Sequence, residues 1–221
     1  MAELILRESS ASEAAFIAGV DERDINRLVD EELLPTALLA SAKGRRFGTF
    51  ECVLGSFYFH ESASLTKDAR KRVMIELAAR MERAIEKLGT RGTQDVPILD
   101  WSVALDAVTL VNVKSLAEEA ARRAAALARA ESLVASDEEI LAGDPVFAGT
   151  RIPVRTVAAW VEAGETAESI KTSFPRASDE MIEAAPLWAR THPARGRPKS
   201  FGELNPEWKK VSSRRVKLED L

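Results

Sequence analysis

Residues 143–154 read GDPVFAGTRIPV, a short apolar run that two glycines, two prolines and one arginine interrupt. Asp144 and Pro145 favour a turn, and Gly149 permits a backbone conformation that side chains resist. The second proline is tolerated where a strand ends. The stretch therefore predicts a hairpin, in which we expect Arg151 to bind Asp144 or local carbonyl groups and so to fix the hairpin against the helices after it.

Three short helices are predicted after this hairpin, over residues 155–162, 167–174 and 179–189. Thr166 and Ser178 are suitable N-caps for the second and third helices. Pro186 falls inside the third helix, and it predicts a kink or a restart because proline cannot donate a backbone hydrogen bond there. The apolar side chains expected to form a compact core are Val157, Trp160, Val161, Ile170, Phe174, Ile182 and Trp188.

Residues 133–199 resemble a family of domains labelled as of unknown function, number four-three-three, many of whose members are read as VapB-like antitoxins. The residues that carry the resemblance include Gly143, Asp144, Pro145, Val146, Gly149, Thr150, Arg151, Ile152, Pro153 and Val154. The resemblance implies an antitoxin that inhibits a small PIN-like ribonuclease toxin and represses its own operon by binding operator DNA. Within the motif, a structural role is favoured over direct toxin contact for Gly143, Asp144, Gly149, Thr150 and Arg151.

Residues 11–35, ASEAAFIAGVDERDINRLVDEELLP, contain two short helical patterns separated by a three-residue turn that begins at Gly19. A small residue before the turn, a glycine in it and apolar residues after it are typical of a helix-turn-helix. Asp21 is expected to cap the second helix, about residues 22–31, with Asp24 reaching back to it.

Over residues 10–60 the order of parts resembles a MerR-type winged helix-turn-helix, with KGRRF (43–47) as the wing. The resemblance implies that the second helix enters the major groove while the wing holds the DNA backbone. Arg and Asn side chains can read guanine and adenine there. The expected DNA-binding residues are Arg23, Asn26 and Arg27 on the helix, with Lys43, Arg45 and Arg46 offsetting its acidic residues. The alternative is a small helical domain whose surface arginines are merely solvated.

The middle of the chain is predicted to be scaffold. A long amphipathic helix should span 65–88, with Thr66 as its cap and Gly89 as its stop. Branched residues predict two strands, about 98–104 and 108–113, that turn near Asp106. A helix over 114–133 should come next, with Glu118/Arg122 and Glu119/Arg123 pairs on its outer face. Because a lone strand pair is marginal, self-association through this region is expected.

The charge of the chain is uneven. Residues 191–221 hold eight Lys and Arg against four Asp and Glu, so they carry +4, whereas the whole chain carries −4 and residues 1–190 therefore carry −8. The basic tail is too poor in apolar residues to fold alone, although three large ones are spaced like anchors for a groove. The expected toxin-binding residues are Arg195, Arg197, Lys199, Phe201, Leu204 and Trp208. The first three could lie against the carboxylates of a PIN-like nuclease. The alternative is a disordered tail.

Cysteine and histidine are scarce, with one Cys and two His in 221 residues. This excludes a disulfide framework and leaves little for a metal cluster, so neither a metal nor another cofactor is expected. Neither a signal peptide nor a transmembrane run is recognisable, which predicts a cytoplasmic protein without a membrane partner. No triad of catalytic residues and no phosphate-binding glycine loop can be assembled, so an enzyme is not expected.

These features predict an α+β, mainly helical fold. Its parts are a winged helix-turn-helix domain with a long helix (1–90), a strand pair with a linking helix (91–132), a hairpin plus three-helix antitoxin module (133–190) and an extended basic tail (191–221). The predicted function is a type II antitoxin that binds a PIN-like ribonuclease toxin and operator DNA, as a homodimer or as a larger complex with the toxin. The alternatives are a stand-alone DNA-binding transcription regulator and a protein-interaction adaptor.

Overall fold

The computed structural model describes residues 8–36, 38, 45–61, 63–89 and 99–194. These residues are mainly helical and include two short antiparallel strand pairs, which confirms the predicted fold class. In this part of the chain no helix is both long enough and apolar enough to cross a bilayer. The site predictions that fall outside the described residues concern Lys43, Arg195, Arg197, Lys199, Phe201, Leu204 and Trp208.

The first two helices, α1 (Ala11–Ala18) and α2 (Glu22–Asp30), are joined by the predicted three-residue turn. Gly19 adopts a φ of +70°, and its backbone N–H donates to the carbonyls of Ala15 and Phe16. This left-handed conformation ends α1, and glycine adopts it at little steric cost.

The predicted capping box before α2 is wrong. Asp21 precedes α2 but makes no side-chain capping bond, and the carboxylate of Asp24 pairs with Arg27 at 3.0 Å instead of reaching back to Asp21. The capping box lies one helix earlier. The backbone N–H of Ser10 donates to Glu13 Oε2 at 2.8 Å, and the hydroxyl of Ser10 accepts from the N–H of Glu13.

Helix α3 (Thr49–His60) packs against both α1 and α2, and nearly all of its side chains are buried. It covers Ile25 and Leu28 of α2, both fully buried as the sequence pattern predicts. Just before α3, Phe47 exchanges two backbone hydrogen bonds with Ser9, at 2.8 and 2.9 Å. In the described part of the predicted wing, residues 45–47, this bridge is the only β-type pairing.

The long helix α4 (Lys67–Gly89) begins at the predicted cap, where the hydroxyl of Thr66 accepts from the N–H of Ala69 at 3.2 Å. Val73 and Leu77 are fully buried on its apolar face. Ile85, predicted to continue that face, is 52% exposed. The apolar residues of α4 therefore keep their helical spacing beyond the point where the helix leaves the core.

The predicted strand pair forms with shorter strands than expected, β1 (Ser102–Ala104) and β2 (Leu110–Asn112), in an antiparallel register that places Val103 opposite Val111. The carboxylate of Asp106 accepts the N–H groups of Val108 and Thr109, which confirms the turn.

Helix α5 (Lys114–Ser132) contributes to two hydrophobic cores. Ala120, Ala124 and Leu127 are fully buried with α1, α3 and α4, whereas Ala130 lies in the core of the C-terminal module. The first core also includes Val103 of β1. The central segment and the N-terminal region thus share one core, and the second core starts near the end of α5.

One of the two ion pairs predicted on α5 forms as expected, with Arg123 Nη2 and Glu119 Oε2 2.9 Å apart. The other does not form with Arg122. Glu118 pairs instead with Lys114, one turn earlier, at 3.7 Å.

Strand β3 (Val134–Ala135) pairs antiparallel with β4 (Val146–Phe147), and Val146 also bridges Pro153. The predicted hairpin therefore exists, but its first strand, β4, pairs with β3 on one side and with Pro153 on the other. Gly149 has a φ of +71°, as its place in the turn requires.

Thr150, rather than Arg151, closes this turn. The buried hydroxyl of Thr150 donates to the carbonyl of Phe147 at 2.8 Å and accepts from the N–H of Ile152 at 3.0 Å. Arg151 is exposed and makes no hydrogen bond or ion pair with any described residue, so the bond predicted to Asp144 or to local carbonyls is wrong. Its side chain points to solvent, and Arg176 supplies the cationic contact by donating to the carbonyl of Gly149.

Three helices complete the module: α6 (Val154–Glu162), α7 (Ala167–Ser173) and α8 (Asp179–Thr191). The predicted caps Thr166 and Ser178 are confirmed. Four of the predicted apolar residues are buried in the core, and the other three are partly buried against it: Val157, Ile170, Ile182 and Trp188, then Trp160, Val161 and Phe174. The predicted restart at Pro186 is wrong, since α8 is one continuous helix. Ile182, Ala185 and Trp188 are buried on both sides of the proline, and this packing offsets the missing hydrogen bond.

We predict that Thr150→Val lowers the free energy of unfolding by about 1–3 kcal/mol, because it leaves the buried N–H of Ile152 without its acceptor. Arg151→Ala, one residue away, should change it by less than about 0.5 kcal/mol. Urea unfolding followed by circular dichroism measures both. A larger loss in Arg151→Ala than in Thr150→Val would contradict this account of the turn.

Candidate functional site

One face of α2 is open, in that no other described helix or strand packs on it. The helix packs mainly against α1 and α3, and its opposite face carries three of the predicted DNA-binding residues, Arg23, Asn26 and Arg27. Arg23 is exposed and has no hydrogen bond or ion pair with the residues described. Among these three residues, Arg23 can therefore reach a ligand without breaking a hydrogen bond or an ion pair to a described residue.

Arg27 is held by its own helix. Its guanidinium pairs with Glu31 at 2.7 Å and with Asp24 at 3.0 Å, and it lies 5.2 Å from the centre of the Phe59 ring. The hydrogen bonds that Arg27 donates to Glu31 and Asp24 raise the pKa of Arg27, and the bond that Glu31 accepts lowers the pKa of Glu31. Arg27 thus offsets one of the two negative charges that Asp24 and Glu31 carry.

Arg45 connects the basic segment to α2. It donates to the side-chain oxygen of Asn26 and pairs with Asp30 at 2.9 Å. Arg46 beside it is exposed, and the bridge between Phe47 and Ser9 fixes both arginines near the start of α1. The structure thus brings the predicted residues Asn26 and Arg45 together.

A groove separates this N-terminal surface from the C-terminal module. Its N-terminal side includes Arg45, Arg46 and Glu22, and its far side includes Arg155 and Trp188. The sequence reasoning missed this juxtaposition, since the two sides come from distant parts of the chain and no local pattern connects them.

Aromatic and cationic side chains stack on the far side of the groove. The ring of Trp188 lies parallel to that of His192, with centroids 4.6 Å apart, and the guanidinium of Arg155 lies 5.2 Å from the Trp188 ring. Arg155 also donates to the carbonyl of His192 at 2.7 Å. These contacts hold the residues just after α8 against the module.

His192 also contacts the N-terminal region and α5. Its Nε2 lies 3.1 Å from Glu13 Oε1 and 3.6 Å from Glu131 Oε1. The hydrogen bond that Glu13 accepts raises the pKa of His192, partial burial opposes this increase, and the negative charge of Glu131 adds to it. Nearby, Arg190 lies 5.0 Å from the Phe16 ring and strengthens the contact between α1 and α8.

Two comparisons place the chain among known proteins. A family model described as "Protein of unknown function (DUF433)" matches residues 134–189, which run from β3 to α8. The "Uncharacterized protein y4eO" of Sinorhizobium fredii is 35% identical over 206 residues, which cover 93% of this chain and 91% of that protein. No solved structure matches. Because the family model matches the hairpin and all three C-terminal helices, and the relative aligns over nearly its full length, the chain belongs to the DUF433 family.

Proposed function

We propose that the protein is the antitoxin of a type II toxin–antitoxin system, which binds operator DNA through α2 and neutralises a PIN-like ribonuclease toxin through its C-terminal segment. The observation that carries the DNA-binding half is the open face of α2 with Arg45 and Arg46 beside it. The toxin-binding half rests on the resemblance of residues 133–199 to VapB-like antitoxins. The proposal assigns the protein no catalytic role.

The acidic side chains of α2 oppose DNA binding less in the structure than the sequence suggests, because several of them form ion pairs. Acidic side chains near phosphate weaken binding. Arg27 pairs with both Asp24 and Glu31, however, and Arg45 pairs with Asp30, so two of these three negative charges are balanced. The pairing offsets much of the repulsion on this face.

The side chains left for DNA differ in role. Arg23 is exposed and unpaired among the described residues, so it is the strongest candidate for a base contact in the major groove. Arg46 lies beside α2 on the basic segment, where a phosphate contact fits. Arg27 would reach a base only by giving up two ion pairs.

A stand-alone transcription regulator is the second candidate. The open face of α2 favours it equally, since the described residues that form that surface belong to the N-terminal region. The two candidates differ only in whether a toxin partner exists, and they require separate experiments.

Under either candidate we propose a homodimer, which would present two copies of α2 to one operator.

We predict that Arg23→Ala weakens binding to the DNA upstream of its own gene by about 1–3 kcal/mol, because a base contact is lost. Fluorescence anisotropy with a labelled duplex measures the affinity. Arg122→Ala is the matched control: it removes the same charge from the exposed side of α5 and should leave the affinity unchanged. Equal affinities for the wild-type protein and for a combined Arg23, Asn26 and Arg27 alanine variant would contradict DNA reading by α2.

We predict that a chain ending at Ala194 loses the ability to rescue cells from the toxin but retains operator affinity. The truncation starts after Ala194 because Thr191 ends α8 and His192 contacts Glu13 and Arg155. Co-expression with the neighbouring toxin gene measures rescue. Full rescue by the truncated chain would contradict the assignment of the tail, and the absence of any toxin gene rescued by the full chain would favour the stand-alone regulator.

A further inference from the structure

We propose that Glu13, Glu131 and His192 form a binding site for a divalent transition-metal cation, of which Zn²⁺ is the best match. The three side chains are contributed by α1, by the last turn of α5 and by the residue directly after α8. The inference does not depend on the proposed function. It reverses the expectation, drawn from the scarcity of Cys and His, that the chain holds no metal site.

The spacing of the three ligand atoms suits one small cation. His192 Nε2 is 3.1 Å from Glu13 Oε1 and 3.6 Å from Glu131 Oε1, and one ligand atom from each residue lies within 4.8 Å of the other two. Zn²⁺ binds imidazole nitrogen and carboxylate oxygen at about 2.0–2.2 Å, so tetrahedral ligands lie roughly 3.3–3.5 Å apart. The two distances from His192 Nε2 lie on either side of that range.

The hydrogen bonds of His192 determine which ring nitrogen is available. Its Nδ1 lies 3.1 Å from the carbonyl oxygen of Trp188, which can only accept, so in the metal-binding tautomer Nδ1 carries the proton and Nε2 the lone pair. Thr191 is also 3.0 Å from Nδ1, and its hydroxyl donates to the carbonyl of Leu187. A backbone carbonyl that accepts from the far ring nitrogen is the usual outer partner of a metal-binding histidine.

Neutral His192 would therefore direct the lone pair of Nε2 toward two carboxylates, which is electrostatically unfavourable. A cation bound at this point would interact favourably with the Nε2 lone pair and with both carboxylates. A single N–H of a protonated ring would donate to Glu13 at 3.1 Å and leave Glu131 at 3.6 Å as an ion pair, whereas a metal ion takes all three groups as ligands at once. The convergence of both carboxylates on one nitrogen thus favours the cation.

The surroundings hold these ligands in place. The side chain of Glu13 is only 12% exposed, and its second oxygen accepts from the N–H of Ser10 in the capping box. The ring of His192 is 28% exposed and stacks on Trp188. Glu13 and His192 also line the groove, which leaves a fourth coordination position to water. A cation here would bind the N-terminal region to the DUF433 module.

The test is isothermal titration of the EDTA-treated full-length chain with Zn²⁺, paired with thermal unfolding with and without the metal. We expect one Zn²⁺ per chain and a higher melting temperature when it is bound. Glu131→Gln and His192→Ala should each weaken binding by more than about tenfold, since even outer-shell changes cost that much. His60→Ala, which removes the other histidine of the chain from an exposed position, should bind as the wild type does.

Circular dichroism verifies that each variant is folded. Glu131→Gln is the safer variant because the side chain of Glu131 is about a quarter exposed, at 27%. If it binds Zn²⁺ as tightly as the wild type, or if the wild type does not bind Zn²⁺, the proposal is overturned and the cluster is an ion pair with protonated His192. A loss of binding in His60→Ala as large as in His192→Ala also overturns it.

Discussion

Helix α5 is packed by both halves of the protein, and the side chains on its buried face are small. Ala120 and Ala124 let α1 and α3 approach closely, while Ala130 serves the C-terminal core in the same way. Larger side chains at such positions would overpack the core at a cost of about 1–3 kcal/mol each. One rigid helix therefore fixes where the DUF433 module lies relative to α1 and α2.

The candidate site depends on this placement. Glu131 lies in the last turn of α5, where the two cores meet, and α1 and α8 bring Glu13 and His192 to it. The groove beside the cluster has Arg45 on one side and Arg155 on the other. A partner bound in the groove would contact both halves at once. The groove is therefore where the proposed DNA-binding surface meets the DUF433 module.

The features predicted well from the sequence are those decided within a few residues. Gly19, the caps Thr166 and Ser178 and the turn at Asp106 need only their neighbours along the chain, and the structure has each of them. Errors arose where a side chain could choose between partners. Asp24 pairs with Arg27 instead of capping α2, and Arg151 turns to solvent while Thr150 closes the hairpin. Nothing local shows that Glu13 and His192, from opposite ends of the described chain, meet in space.

The central claim is that the open face of α2 contacts DNA. Hydrogen–deuterium exchange, measured with and without the DNA upstream of its own gene, tests it most directly. We expect slower exchange in α2 and in the residues around Arg45, with α6 and α7 unchanged. Protection confined to α6, α7 and α8 would contradict the claim, because it would place the DNA on the DUF433 module instead.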